Sequence, residues 1–194
     1  MLPGATLLLA LAVPLPPPAP SPAGGSEPGG IEPRLTIRES LDNYLVSAAT
    51  EAQLRARLKL DEDPGNHGRA LTEGRFVVTR SIVQREGRCE VEDVTIELDI
   101  HTTLPEWTPG ERVPARLRAT WARFLAFITA HEERHRRHLL DAAFAMRDRI
   151  AAMPPKARCT QLEAALKLIV DSEDRKRRFA DRMVDRRGTP GPPE

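Results

Sequence analysis

Residues Pro114 to Met153 read PARLRATWARFLAFITAHEERHRRHLLDAAFAMRDRIAAM, and this stretch decides the fold. Pro114 suits the first turn of a helix, and Pro154-Pro155 ends one, so the stretch predicts a single long helix. Its apolar residues recur at spacings of three and four, which places them on one stripe that faces a core. The stripe consists of Leu117, Trp121, Phe124, Ile128, His135, Leu139, Ala142 and Met146.

The same helix carries the motif His131-Glu132-Glu133-Arg134-His135. His131 and His135 are one turn apart, about 6 Å along the axis, so their imidazoles point to the same side. Two imidazoles placed in this way can bind one zinc ion at about 2.0–2.1 Å each. Glu132 is turned about 100° round the helix from His131, and from there it can reach a water molecule beside the ion. The motif therefore predicts His131 and His135 as zinc ligands and Glu132 as general base. The alternative is an amphipathic helix whose histidines merely cluster.

Two features of the sequence argue against a third histidine ligand on this helix. His138 lies on the same side of the helix as His131, but the two are about 10 Å apart along the axis, too far to share one ion easily. We expect His138 beside the site or partly exposed. The motif also does not continue into the H-E-x-x-H-x-x-G-x-x-H pattern of metzincins, because the third histidine of that pattern is absent.

The C-terminal helix, expected from near Cys159 to about Arg187, offers a third ligand. Its apolar stripe contains Glu173, and burial of a carboxylate is costly unless something compensates the charge. If the two helices pack antiparallel across a short link, Glu173 and His135 differ in height by only about 6 Å. Glu173 is therefore the predicted third ligand. The alternatives are an ion pair of Glu173 with Lys176 or Arg177, or a ligand role for Asp181, with Glu163 and Asp174 as further candidates.

The first half of the chain is rich in strand patterns. Cys89 to Leu104 alternates apolar and polar residues, and the short segment Gln84–Arg88 joins it to the β-branched run Arg75–Val83, which predicts an antiparallel hairpin. Extended patterns also occur in Arg34–Val46. The sequence Thr50-Glu51-Ala52-Gln53 is a capping box for a short helix to about Leu60, and the composition of Asp61 to Gly74 indicates a loop.

Strands that precede helices indicate the α+β class. We expect a small antiparallel sheet packed against two long antiparallel helices, one of them a zincin-like active-site helix. By analogy with zincins, the segment Val94 to Thr103 is the predicted strand that pairs with an extended substrate.

The N-terminus predicts export. The first 26 residues carry no charged side chain, and Ala5–Val13 is an apolar run too short for a membrane span but suited to a signal peptide. We predict a signal peptide over 1–23, a Pro/Gly-rich spacer over 24–33, one domain over 34–188 and a disordered tail over 189–194. The protein is expected to be secreted or periplasmic without a membrane span. A disordered N-terminus or a wrongly assigned start codon is the alternative.

Charge and cysteine content narrow the possible partners. Lys and Arg number 29 and Asp and Glu 28, so the net charge of +1 does not favour nucleic acid or anionic lipid as a partner. The two cysteines, Cys89 and Cys159, are consistent with one disulfide in an exported protein, or with two buried free thiols.

The chain resembles a bacterial family of predicted secreted zinc-dependent proteases, long catalogued as a domain of unknown function. The resemblance spans about Tyr44 to Gly188. It rests on Tyr44-Leu45-Val46, Cys89-x-Val91-x-x-Val94, Leu104-Pro105-Glu106-Trp107, Trp121-x-x-Phe124, His131-Glu132-x-x-His135, Pro154-Pro155 and Cys159-x-x-Leu162-Glu163.

The resemblance implies a metallopeptidase-like site with His131 and His135 as ligands and Glu132 as base, and it implies that Cys89 and Cys159 are partners. Members usually end with Tyr-Asp and Thr-x-His-Gly motifs, where this chain has Phe179-Ala180-Asp181 and Asp185-Arg186-Arg187-Gly188. If the family's terminal histidine is a ligand, this chain needs another one. The expected function is zinc-dependent hydrolysis of peptide or protein substrates. The alternatives are an exported metal-binding protein without activity, or a zinc hydrolase of cell-wall amides.

Overall fold

A computed structural model describes residues 30–58, 70–109 and 113–186. The predicted signal peptide, most of the predicted spacer and the predicted tail lie outside these residues. In the described ranges, no helix combines the length and apolar character that a membrane crossing requires. The elements in chain order are β1 (Arg34–Val46), α1 (Glu51–Leu58), β2 (Leu71–Arg85), β3 (Arg88–Trp107), α2 (Ala115–Ala151), β4 (Lys156–Ala157) and α3 (Cys159–Arg186).

β3 is the central strand of a small mixed sheet. β2 pairs with it antiparallel, as predicted, through a turn in which Glu86 and Gly87 have φ of 51° and 78°. A two-residue type I′ turn requires positive φ at both positions, and glycine adopts it without strain. β1 pairs with the other edge of β3 in parallel, and β4 pairs with the start of β3. The predicted α+β class is confirmed, but the sheet is mixed and not purely antiparallel. The sequence could not predict the direction of β1, because side-chain alternation is the same for either strand direction.

The position of β3 overturns one prediction. β2 pairs with β3 from Arg88 to Thr103, and β1 pairs with the opposite edge from Thr95 to Trp107. Both hydrogen-bonding edges of Val94–Thr103 are therefore occupied for most of its length. This segment cannot pair with an extended substrate, whereas β1 is an edge strand of the described sheet.

The two long helices cover one face of the sheet. Alternate β3 residues point into this layer and are buried, while Glu97 and Asp99 lie on the opposite face and bind Arg38. Ile31, within the predicted spacer, is also part of the core. Burial on one face only is what a two-layer α+β fold requires. The core residues of β3 are Val94, Ile96, Leu98 and Ile100, and those of the two helices include Leu139, Met146, Ile150, Leu162, Leu166 and Ile169.

A second apolar cluster surrounds the first half of α2. Thr50 accepts a hydrogen bond from the backbone N–H of Gln53 at 3.2 Å, and the Gln53 side chain accepts one from the N–H of Ala49 at 2.8 Å. These bonds cap α1 as predicted, and Leu54 and Leu58 of this helix are buried in the cluster. The predicted loop ends earlier than expected, because β2 begins at Leu71, and residues 59–69 are outside the described ranges.

Two contacts fix the helices on the sheet. The disulfide between Cys89 and Cys159 joins the start of β3 to the start of α3, which confirms the predicted pairing. At the other end of the layer, Gly74 of β2 lies under Leu139 of α2. A Cβ at Gly74 would approach the Leu139 side chain to 2.2 Å. The helix can therefore lie this close to the sheet only because position 74 has no side chain.

Candidate metal centre

The two motif histidines lie together between α2 and α3. Because α2 is helical throughout the motif, residues four apart share one face. His131 is 2 % exposed, and its Nε2 lies 3.0 Å from Nε2 of His135. The structure thus brings together the two predicted ligands on the face of α2 that contacts α3.

The third atom at this point comes from Asp185 in the last turn of α3. Its Oδ1 lies 3.1 Å from Nε2 of His135 and 3.4 Å from Nε2 of His131. Together with the 3.0 Å between the two nitrogens, these distances form a nearly equilateral triangle of donor atoms. Two ligand atoms of tetrahedral zinc, each about 2.0–2.1 Å from the ion, are about 3.3 Å apart. The three residues therefore fit a zinc ion in both donor type and spacing.

Hydrogen bonds alone satisfy this triangle poorly. A carboxylate only accepts, and a neutral imidazole carries one N–H. At most two of the three contacts can then contain a proton. At least one contact therefore brings together either two lone pairs or two N–H groups. A cation at the centre would accept a lone pair from each of the three atoms, so the donor chemistry also fits a metal.

Asp181 contacts the other side of His135. Its Oδ1 lies 3.1 Å from Nδ1 of His135 and 2.9 Å from Nδ1 of His138, and its Oδ2 accepts a hydrogen bond from Arg177 at 2.7 Å. Burial raises the pKa of Asp181, but hydrogen bonds from His135 and His138 outweigh this effect and leave the pKa lowered. The hydrogen bond to Asp181 is the main cause of a raised pKa of His135. His138, expected beside the site or partly exposed, therefore lies beside it.

Glu132 is buried on the side of α2 that faces the sheet. It is 5 % exposed, and burial raises its pKa, although a hydrogen bond with Thr72 of β2 partly opposes the shift. The charges of His135 and Asp185 also act on this carboxylate. Glu132 lines a cleft of about 270 Å³ between α2, the middle of β1 and the C-terminal part of β3. The predicted general base thus lies next to both the donor triangle and a space open to a ligand. The other residues that line this cleft are Glu39, Ser40, Leu41, Thr102, Leu104, Thr129, Glu133 and Arg136.

Glu173, the predicted third ligand, is not brought to the histidines. Its carboxylate is 5 % exposed and accepts hydrogen bonds from Arg149 of α2 and from Lys176, the latter at 2.8 Å. Arg149 is 14 residues from His135 on α2, which corresponds to about 21 Å along the helix. The prediction that Glu173 must be compensated was correct in its physics, but two basic side chains provide the compensation. Of the two alternative ion pairs, with Lys176 or Arg177, the structure shows the one with Lys176.

The error comes from the register of the two helices. The link is not a tight turn, because the chain passes through β4, which pairs with the start of β3, before α3 begins. The contact between His135 and Asp181 then fixes the register. Glu173 is eight residues from Asp181, so it lies about 12 Å from the level of His135.

Asp185 was not predicted as a candidate ligand, although one signal in the sequence could have identified it. Asp181 and Asp185 are four residues apart on α3, the same spacing as His131 and His135 on α2. In an antiparallel helix pair, such pairs can face each other as two matched rows. Glu173 was predicted instead because it is an acidic residue within the apolar stripe of α3.

Comparison with known families assigns the chain to one of them. The model of a family described as bacterial proteins of unknown function, DUF922, matches residues 41–191. The chain belongs to DUF922. This range contains the donor triangle, Glu132, Asp181 and both cysteines, so the DUF922 match covers the whole candidate centre. Neither the curated proteins nor the solved structures include a significant match to the chain. The family description states no activity, so the zincin-like character of α2 and the peptidase activity stay predictions.

Proposed function

We propose that this DUF922 protein is an exported zinc-dependent peptidase. In this proposal His131, His135 and Asp185 hold the ion, and Glu132 is the general base. The observation that carries the proposal is the triangle of donor atoms, with sides of 3.0, 3.1 and 3.4 Å, beside a buried glutamate. Three protein ligands leave the fourth position of a tetrahedral zinc free, which is the arrangement of catalytic rather than structural zinc.

The state of Glu132 suits proton transfer. Burial raises the pKa of this carboxyl group, so its proton affinity is closer to that required near neutral pH. Glu132 accepts a proton from the water that attacks the scissile carbonyl and donates it to the leaving nitrogen. When bound, zinc supplies Lewis-acid chemistry, which polarises a carbonyl and acidifies water.

The cleft favours an extended polypeptide as substrate. Glu39, Ser40 and Leu41 of β1 form one side of it, and β1 is an edge strand of the described sheet. An edge strand can add a further strand through backbone hydrogen bonds. Leu41, which is 60 % exposed, offers apolar contact next to this edge. A peptide aligned with β1 would run past Glu132.

The disulfide supports the export part of the proposal. A bond between Cys89 and Cys159 is stable in an oxidising compartment and rare in the cytosol. Secreted or periplasmic residence is therefore consistent with the structure of the described chain.

The test is hydrolysis of casein by purified, zinc-loaded protein, with Glu132→Gln as the variant. General-base loss is expected to lower kcat by about 10²–10⁴-fold while zinc stays bound. Glu173→Gln is the matched control, because Glu173 is the same residue type and is also 5 % exposed, but it lies outside the centre. It is expected to keep activity.

The other outcomes separate the competing functions. Hydrolysis of peptidoglycan without hydrolysis of casein would assign the centre to cell-wall amides. Stoichiometric zinc with no hydrolysis of either substrate would identify a metal-binding protein. Near wild-type activity in Glu132→Gln would show that Glu132 is not the general base.

A further inference from the structure

We infer that Asp181 is a positioning residue that holds His135 as its Nδ1–H tautomer and so directs the Nε2 lone pair at the proposed zinc position. The expected effect of Asp181 on zinc affinity rests on the proposed function. The structural part of the inference, the tautomer of His135, can be tested without metal and without a substrate.

The hydrogen-bond roles around Asp181 follow from its chemistry. An ionised carboxylate accepts but does not donate, so each contact of Asp181 Oδ1 requires a proton on the partner. The two partners are Nδ1 of His135 at 3.1 Å and Nδ1 of His138 at 2.9 Å. A neutral imidazole that carries its proton on Nδ1 has a free lone pair on Nε2. In His135, Nε2 is the atom that faces His131 and Asp185. Asp185 also lies 3.1 Å from this ring, but its side chain is 56 % exposed against 17 % for Asp181, so water weakens its attraction for a ring proton and Asp181 is the stronger acceptor.

A chain of ion pairs keeps Asp181 in this orientation. Arg177 donates to Oδ2 of Asp181 at 2.7 Å, and the same guanidinium donates to Asp174 at 2.8 and 3.0 Å. The side chains of Arg177 and Asp181 are 16 % and 17 % exposed, so water competes little for these bonds. With Oδ2 held by Arg177, the carboxylate presents Oδ1 to the two imidazoles. Partners of this kind commonly fix the orientation of a metal-bound histidine.

A second metal ion is the competing explanation. One ring nitrogen from each of His135 and His138 and one oxygen of Asp181 lie within 4.8 Å of one another, which is close enough for a shared ion. Two observations argue against it. His135 would have to lose both ring protons to bind one ion through Nδ1 and another through Nε2. The guanidinium of Arg177, 2.7 Å from Asp181, would also repel a divalent cation. The hydrogen-bonded arrangement requires neither.

The first experiment determines the tautomer in metal-free wild-type protein. Long-range ¹H–¹⁵N correlation spectra at about pH 9, above the ordinary range of histidine titration, distinguish Nδ1–H from Nε2–H. The expected result is a single Nδ1–H form for His135. A protonated Nε2, or a mixture of the two tautomers, would overturn the inference even if zinc binding and hydrolysis are found as proposed.

The second experiment measures zinc affinity in Asp181→Ala. Loss of the oriented acceptor is expected to weaken binding by about 10–100-fold. Asp171→Ala is the matched control, because it removes an exposed α3 carboxylate that pairs with Lys167, outside the chain of ion pairs that holds Asp181. The control is expected to bind zinc within about threefold of wild type, and Asp181→Glu to restore part of the affinity. Unchanged zinc affinity in Asp181→Ala, or two zinc ions per wild-type chain, would refute the positioning role.

Discussion

Oδ1 of Asp185 lies 3.1 Å from Nε2 of His135, although the two residues belong to different helices. The neighbouring contact, between Oδ1 of Asp181 and Nδ1 of the same imidazole, is also 3.1 Å. His135 is therefore held at both ring nitrogens by two carboxylates that are one turn apart on α3. The centre exists only where α2 and α3 are packed in this register, so its integrity depends on the docking of α3.

Removal of the Asp185 carboxylate should weaken zinc binding strongly. In Asp185→Ala one of the three proposed donor atoms is absent. Loss of a residue that only hydrogen-bonds to a metal ligand lowers metal affinity by ~10–100-fold, so we expect the zinc affinity of Asp185→Ala to fall by at least the upper end of that range. Competition with a chelator of known affinity measures the effect. Asp171→Ala, which removes an exposed α3 carboxylate paired with Lys167, should change the affinity little. Equal affinities for the two variants would exclude Asp185 as a ligand.

Replacement of Glu173 should lower stability in a pH-dependent way. Burial raises the pKa of Glu173, but hydrogen bonds from Lys176 and Arg149 outweigh burial, so the pKa in the folded state is lowered. The ionised group then stabilises the fold above its unfolded-state pKa, and this contribution is lost as pH falls through the folded-state pKa.

We therefore expect Glu173→Gln to unfold more easily than wild type at neutral pH, by about 1–3 kcal/mol. The difference should shrink as the pH falls below about 4. Urea denaturation at a series of pH values measures it. A stability difference that grows on acidification would contradict the sign of the shift.

Loss of the disulfide should destabilise the fold without removing any proposed ligand. The bond between Cys89 and Cys159 spans 70 residues, for which the chain-entropy model gives about 4 kcal/mol. The double variant Cys89→Ser/Cys159→Ser should unfold at lower denaturant concentration, and reduction of wild type should have a similar effect. If reduced wild type is as stable as oxidised protein, the disulfide contributes nothing measurable.

A side chain at position 74 should disturb the packing of α2 on the sheet. The Cβ of Gly74→Ala would meet the side chain of Leu139, which is 1 % exposed and has little room to move. Overpacking of this kind costs about 1–3 kcal/mol. Gly30→Ala is the control, because a Cβ at Gly30 meets nothing within 4 Å. Thermal unfolding of both variants tests the prediction, and an unchanged Tm for Gly74→Ala would refute it.

The long helices and the β2–β3 hairpin could be predicted because each has a strong local pattern. The stripe of α2 and the alternation of β3 depend only on residues close in sequence. The capping bonds of Thr50 and Gln53 could be predicted for the same reason. His131, Glu132 and His135 could be grouped as candidates from the sequence because they lie on one helix with fixed spacing.

The features that were missed depend on how separate elements are placed. The parallel direction of β1 is not encoded in its own alternation. The level of α3 beside α2 depends on β4, a two-residue strand that no local pattern predicts. Glu173 and Asp185 are twelve residues apart, about three turns of helix, so an error in the register of α3 replaces one acidic residue by another.

The position of Asp185 at the end of α3 also sets an order of events during synthesis. On the proposed assignment, two zinc donors and the general base emerge from the ribosome together, in one segment of α2. Asp185 follows only after Cys159 and nearly all of α3. A partly synthesised or partly translocated chain therefore cannot complete the zinc centre. On the proposed function, zinc-dependent activity would therefore appear only after α3 has docked.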